Sequence, residues 1–362
     1  EDNEVIVNAS ALRFHEARYG LVKRLRASFW VLGPILARLG IAKVALPGGD
    51  AIGTRPLDIH LEGLAAMGAD IKLEHGVVTA TAPGWLAPAT IDFSFPSVGA
   101  THHLLTTAAL VPGLTTLNNV AKEPEVIALA EFLQSMGARI EGAGTESIKI
   151  WGTRDLGSAT TTVEGDRIEA ATYLCAGIIT GGNVEVRGIS PHHLGEFIKV
   201  LSDMDAMVTT TDESVRIQMR GLPKTVAVRT APFPGLATDI QPLLLAALTK
   251  SEGTSTLVET VFESRFGHVA EYRRLGADIQ LEGDKAIISG PATLSGAPVE
   301  GRDIRAAAGL VLLGLAAEGM TTLSGVHHLE RGYEGMIEKF RSLGANISRI
   351  PGVDVRDIVL GC

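Results

Sequence analysis

The sequence predicts an α/β fold made of repeated βαβαββ units, and three observations carry that reading. A motif of Leu or Met, Gly-Ala, a polar residue and Ile recurs at Met67–Ile71, Met136–Ile140, Leu275–Ile279 and Leu343–Ile347, with a weaker copy at Met204–Val208. Its alanines, Ala69, Ala138, Ala206, Ala277 and Ala345, are spaced by 69, 68, 71 and 68 residues, a regularity that marks internal duplication. Out of phase with it, a Gly is followed four residues on by Val or Leu, at Gly40/Val44, Gly113/Leu117, Gly182/Val186, Gly253/Leu257 and Gly319/Leu323. Finally, 41 of 362 residues are Gly while aromatics are only 5%, so the core must consist of small aliphatic side chains joined by many tight turns.

Each element follows in order. A long apolar segment, such as Ile304–Ala317 or Asp239–Leu248, precedes each Gly of the second signature and reads as a buried helix. The Gly then opens a strand-like run. An amphipathic segment with apolar residues at helical spacing, such as Val126–Met136 or Gly335–Leu343, leads into each Gly-Ala motif. After the motif come two alternating runs joined by a Gly- or Asp-containing turn, as in Ile279–Ile288. Gly ends the helices because it alone takes the left-handed cap without strain. The opening residues Glu1–Val7 resemble the strand pair that follows such a motif. The chain is therefore expected to begin inside a repeat, with a segment of roughly 50–65 residues of the first unit absent.

Composition excludes several classes of function. With 32 Lys plus Arg against 41 Asp plus Glu, the net charge of −9 argues against non-specific binding of nucleic acid or an anionic membrane. The start has neither a basic nor an apolar leader-like region, and Phe93–Ala121, the longest uncharged stretch, is broken by Pro96 and Pro112, so a cytoplasmic protein without a membrane span is expected. Cys175 and Cys362 have no metal or redox spacing, and Cys175, in an apolar run, reads as an inert buried thiol. Six of ten histidines occur as adjacent pairs, 102–103, 192–193 and 327–328; neighbours in sequence diverge in space, so no metal site is expected.

The chemistry is expected in two places. The loop Leu46–Asp58 sets Gly48, Gly49 and Gly53 around Asp50, with Arg55 beyond, and lacks both the Walker and the Rossmann glycine patterns. It reads either as a mobile surface loop or as a lid carrying an acid (Asp50) and an anion clamp (Arg55). Charged residues also recur where the apolar helices begin: Arg26, Asp166-Arg167, Thr238-Asp239 and Asp303-Ile-Arg305, with Ser97–Thr101 at the equivalent place. Any one of these arginines suits a solvated surface. As a set at equivalent positions they suit an anion-binding cleft at helix N-termini.

These residues carry a resemblance. Leu21–Pro34, Pro47–Asp58, Asp166–Glu169, Arg229–Pro232, Thr238–Gln241, Glu263–Phe266 and Glu330–Glu334 together resemble the UDP-N-acetylglucosamine 1-carboxyvinyltransferases, in register from about residue 4 to 350. The resemblance implies two inside-out α/β barrels of three βαβαββ units each, the enolpyruvyl transferase fold, with the active site between them and the first unit largely absent. It divides the chain into residues 1–164, one partial and two complete units with the Pro47–Asp58 loop, and 165–362, three units. It implies transfer of the enolpyruvyl group of phosphoenolpyruvate to the 3-hydroxyl of UDP-N-acetylglucosamine, the first committed step of peptidoglycan synthesis, without cofactor or metal.

By the same resemblance Asp50, Asp239 and Arg331 are catalytic. Asp50 stands where most members carry Cys and supplies the general acid, which implies insensitivity to epoxides of the fosfomycin type. Asp239 meets the attacking hydroxyl, and Arg55 and Arg331 hold phosphoenolpyruvate with Arg305 beside them. Arg26, Arg55, Pro56, Leu57, Asp58, Ile59, Ser97, Val98, Gly99 and Val261 match the UDP-sugar contacts. The family's N-terminal Lys-Asn pair would lie in the absent segment, Phe95 stands where Lys is common, and Phe233 where His is frequent. Two alternatives accompany this reading: an impaired paralogue that binds a nucleotide-sugar or a protein, and 3-phosphoshikimate 1-carboxyvinyltransferase, against which the Pro-Gly-Gly-Asp loop and the uridine-site pattern argue.

Overall fold

The computed structural model describes residues 4–12, 14–23, 25–48, 52–53 and 56–350, together with the backbone of 358–361. Five sheets succeed one another along these residues, four with four strands and one with three. The four-stranded sheets share one connectivity. In the second, Thr90–Asp92 runs parallel to Gly113–Asn118, which pairs antiparallel with Ser147–Gly152, itself antiparallel to Arg139–Glu141. The register places Ile91 opposite Leu117, Leu117 opposite Ile148 and Ile140 opposite Ile150. All five are buried, whereas Asp92, Glu141 and Lys149 between them are exposed, so each sheet turns one face to the core and one to solvent. A parallel pair needs a crossover, and the helix Val98–Ala108 supplies it here.

The recurring Gly-Ala motif has one structural cause. After the helix Pro124–Ser135, the Gly137 N–H donates to the Gln134 carbonyl at 2.9 Å and the Ala138 N–H to that of Leu133 at 3.0 Å, closing the helix with Gly137 at φ +106°. The same pair of bonds closes the other copies at Gly68, Gly276 and Gly344. The alanine, buried at 69, 138 and 277 and partly buried at 345, then leads into the outer hairpin, so the motif is a helix terminator and a strand anchor at once. In the weaker copy Asp205 takes the glycine's place and adopts φ +71°, the left-handed region in which Asp is tolerated.

The chain divides into two compact units, Glu1–Gly49 with Pro56–Thr161, and Asp50–Arg55 with Thr162–Cys362. In the first, the helices Leu32–Leu39 and Val98–Ala108 pack together beneath two sheets. In the second, three helices, Arg167–Ile179, Gln241–Leu248 and Ile304–Ala316, pack pairwise at the centre with three sheets outside them. Gln241–Leu248 is buried along its entire length and Arg167–Ile179 at every residue but Glu169. Helices apolar on all sides must lie inside, which gives the inside-out arrangement. Asp166 and Asp303 cap two of these helices, while Thr238 and Asp239 lie in the 3-10 turn Thr238–Ile240 that leads into the third.

One expected element is corrected. Of Glu1–Val7, read as a strand pair, the described residues 4–7 form no strand, and Val5, Ile6 and Val7 are 86%, 86% and 81% exposed. A strand needs a neighbour for its backbone groups, and none lies alongside these residues among those described. The Cys175 thiol is fully buried, and burial drives its pKa upward, as expected of an inert thiol.

Candidate active site

In the second unit the acids near the three helix starts do different work. Asp166 caps its helix, Oδ1 accepting from the N–H groups of Ile168 and Glu169 at 2.7 and 3.1 Å. Asp303 likewise accepts from Arg305 and Ala306, both at 2.9 Å. The expectation that these helix starts offer free N–H groups to an anion is therefore corrected at both positions, where the side chain of the capping residue already takes them. Asp239 does not cap. Its Oδ1 accepts from Arg265 Nη2 at 2.9 Å and its Oδ2 from Arg305 Nε at 3.2 Å, so each carboxylate oxygen faces a different guanidinium.

The network around Asp239 is built from the whole unit. Arg305 Nη1 donates to the Tyr333 hydroxyl at 3.0 Å, and that hydroxyl lies 2.9 Å from Thr172 Oγ1, which donates to the Ile168 carbonyl. Burial opposes the Arg305 charge, but Asp239, Tyr333 and Asp166 outweigh it and the pKa of Arg305 is raised. Burial raises the pKa of Tyr333 as well. Arg265 is 2% exposed, while the Asp239 carboxylate keeps 38% of its surface open. One buried cation and one largely buried cation thus present a carboxylate outward, an arrangement suited to meeting a hydroxyl beside anionic groups.

Val261 and Arg331 join this region through neighbours. The Val261 N–H donates to Glu259 Oε1 at 2.8 Å, and Glu259 Oε2 accepts from Thr238 Oγ1 at 3.0 Å, the residue before Asp239. Arg331 is exposed at the end of the 3-10 turn Val326–Arg331, two residues before Tyr333. Gly332 between them approaches Ile304 so closely that a Cβ there would lie 2.5 Å from its Cδ1. The Arg331 backbone is thus seated against the start of the Ile304–Ala316 helix. Phe233 packs at 5.8 Å from the Arg167 guanidinium.

The first unit gathers a second group of expected residues. Ser97 caps the helix Val98–Ala108, accepting from the Ala100 N–H at 3.3 Å. A Cβ on Gly99 would lie 3.3 Å from Trp30 Nε1 and 3.5 Å from His60 Nε2, so the helix start is flanked by these two rings. Trp30 stacks on His102 at 4.9 Å with an interplanar angle of 12°. Asp58 opens the helix Asp58–Ala66, its Oδ1 accepting from the Ile59 N–H, with Pro56 and Leu57 preceding it. Arg26, at the start of the 3-10 turn Arg26–Val31, and Asp58 act on His60 in opposite senses. Phe95 is 44% exposed beside Ser97.

Asp50 and Arg55 lie outside the described residues. Of their loop, Ile52 is buried and its carbonyl accepts from the Ser264 N–H at 3.1 Å, while a Cβ on Gly53 would lie 2.6 Å from Glu263 Oε2. Sequence reasoning did not nominate Arg265, Tyr333, Glu259, His60 or His103. Arg265 and Tyr333 lie inside motifs that the resemblance quotes, and His103 in one of the histidine pairs, which were the available signals; Glu259 and His60 had none. Among the described residues no group of three or more His, Cys, Asp or Glu is placed to hold a metal ion, and no helix is long and apolar enough to cross a membrane.

Fold and site together define a transferase of the carboxyvinyl class. The family profile of EPSP synthase (3-phosphoshikimate 1-carboxyvinyltransferase) matches residues 1–340. The chain is 47% identical over 349 residues to a UDP-N-acetylglucosamine 1-carboxyvinyltransferase of Trichlorobacter lovleyi, covering 96% of this chain and 83% of that protein. To the protein of the same description from Azorhizobium caulinodans it is 49% identical over 354 residues, covering 97% and 81%. Among solved structures, the enolpyruvyl transferase NikO from Streptomyces tendae superposes with a TM-score of 0.83 at 29% identity, covering 94% of this chain and 81% of that one. The chain belongs to the UDP-N-acetylglucosamine 1-carboxyvinyltransferase family.

Proposed function

We propose that the chain transfers the enolpyruvyl group of phosphoenolpyruvate to the 3-hydroxyl of UDP-N-acetylglucosamine with release of phosphate. The observation that carries the reading is Asp239, the one helix-start acid of the second unit that is held outward by Arg265 and Arg305 rather than spent on a cap. Asp239 orients the attacking hydroxyl and takes its proton as the hydroxyl oxygen bonds to C2 of phosphoenolpyruvate. Arg305, Arg331 and Arg55 bind the carboxylate and phosphate. Asp50 delivers a proton to C3 as the C–O bond forms at C2. Loss of a proton from the C3 methyl group to the Asp50 carboxylate and of phosphate from C2 then restores the double bond in the enol ether. Arg26, Pro56, Leu57, Asp58, Ile59, Ser97, Val98, Gly99 and Val261 bind the nucleotide-sugar. The domains are residues 1–164 and 165–362, and the reaction is placed in the cytoplasm, at the first committed step of peptidoglycan synthesis.

Phosphate release tests the reading. Release is expected with phosphoenolpyruvate plus UDP-N-acetylglucosamine, and not with shikimate 3-phosphate or without acceptor. Release with shikimate 3-phosphate alone would assign the other substrate class, and none with any acceptor would leave only a binding role. Because Asp50 offers a carboxylate in place of a thiolate, a fosfomycin-type epoxide should leave both turnover and intact protein mass unchanged. A covalent adduct on the loop would refute that.

A further inference from the structure

Two buried histidines in the first unit form a chain of hydrogen bonds with only one consistent assignment of protons. The Gly33 backbone N–H donates to His103 Nε2 at 2.8 Å. A backbone amide is always a donor, so this nitrogen must be the acceptor and the His103 proton must sit on Nδ1. His103 Nδ1 lies 3.0 Å from His60 Nδ1. One of the two must donate, and His103 already holds its proton there. His60 therefore accepts at Nδ1 and carries its own proton on Nε2, the nitrogen that flanks Gly99. Among the described residues nothing accepts from His60 Nε2.

We infer that His103 is a positioning residue that locks His60 as a neutral Nε2–H donor beside the start of the Val98–Ala108 helix, where it hydrogen-bonds an acceptor oxygen of the bound nucleotide. The ligand part of this inference rests on the proposed function, whereas the proton assignment stands without it. Adding a proton to either ring would set two N–H groups against each other, at the His60–His103 contact or at Gly33. Burial acts in the same direction. It lowers the His60 pKa to about 4, with help from Arg26 and against Asp58, and holds that of His103 well below the ordinary value, with His60 adding to the effect. Arg26, Asp58 and His103 are the charged and titratable groups that face His60 among the described residues. Phe29, edge-on to both rings at 5.7 and 5.9 Å, closes the apolar side.

Long-range ¹H–¹⁵N spectra of the histidine-labelled chain read the assignment directly. His60 should be protonated on Nε2 and His103 on Nδ1, both unchanged from about pH 5.5 to 8.5, a span that covers the ordinary imidazole transition. His103→Gln can still accept from Gly33 and donate to His60, so it should preserve the His60 tautomer and UDP-N-acetylglucosamine affinity. His103→Leu cannot; affinity should fall by roughly tenfold and become pH-dependent, with thermal unfolding run alongside to show that the variant is folded. A His60 proton on Nδ1, or a His60 titration near its ordinary value in the unmodified chain, overturns the inference. Equal affinity for His103→Leu overturns its ligand part. If the unmodified chain shows the expected tautomers but binds no UDP-N-acetylglucosamine, the functional reading fails and the proton assignment survives.

Discussion

At the scale of single residues, the division of labour among the acids near three helix starts explains most of the site. Asp166 and Asp303 are the caps of their helices, whereas Asp239 lies inside the 3-10 turn Thr238–Ile240, whose cap position is Ala237, and its carboxylate is left for the arginines. Arg265, 26 residues further along the chain, holds Oδ1 with its buried guanidinium. Asp239→Asn keeps the shape but loses the charge that binds both arginines. It should lower kcat on the order of 10²–10⁴-fold, the usual contribution of a group acting on the transferred proton, with the fold retained by circular dichroism. A variant with unchanged kcat would remove Asp239 from the reaction. Which acid would face the site was not legible in the sequence, because the pairing of Asp239 with Arg265 and Arg305 is made in space and leaves no local spacing signal. The His60–His103 pairing was hidden for the same reason, since it depends on the Gly33 backbone 70 residues from His103.

At the scale of elements, the sequence was far more readable. The Gly-Ala motif, the second Gly signature and the apolar helices each correspond to a described feature, because a repeated local requirement leaves a repeated local residue. The cap position shows the physics. At Gly68 an added Cβ meets nothing within 4 Å, so Gly68→Ala should cost only the left-handed strain, about 1 kcal/mol. At Gly276 the same Cβ would lie 2.7 Å from the Thr293 carbonyl oxygen, so Gly276→Ala should cost more. The fifth copy gives the opposite sign. Asp205 already bears the strain at φ +71° and its ion pair with Lys224 is exposed, so Asp205→Gly should stabilise by about 0.5–1 kcal/mol. Chemical denaturation of the three variants orders them, and equal losses at Gly68 and Gly276 would discard the steric part of the argument. The strand pair expected at the start of the chain failed: an apolar run is present at Val5–Val7, but among the described residues no strand lies beside it.

At the scale of the whole molecule, neutral buried histidines tie stability to pH. His60 is held neutral to about pH 4 and His268 to about pH 3, in both cases chiefly by burial. In the unfolded chain an imidazole takes up its proton below about pH 6.5. The unfolded state then binds more protons than the folded one, so stability is complete above pH 6.5 and falls as the pH drops toward these values. Between pH 6.5 and pH 4, His60 alone accounts for about 3 kcal/mol. Urea midpoints should therefore decline over that interval, and His60→Gln should flatten the decline. A midpoint constant from pH 6.5 to 4.5 would contradict the buried neutral state.

The central claim concerns what the chain makes. Mass spectrometry of the nucleotide-sugar after incubation with phosphoenolpyruvate tests it most directly. The account predicts UDP-N-acetylglucosamine carrying one enolpyruvyl group in place of the 3-hydroxyl hydrogen, formed in step with released phosphate and strongly reduced in Asp239→Asn. Phosphate released with the nucleotide-sugar recovered unchanged, or a product equally abundant in Asp239→Asn, would contradict it.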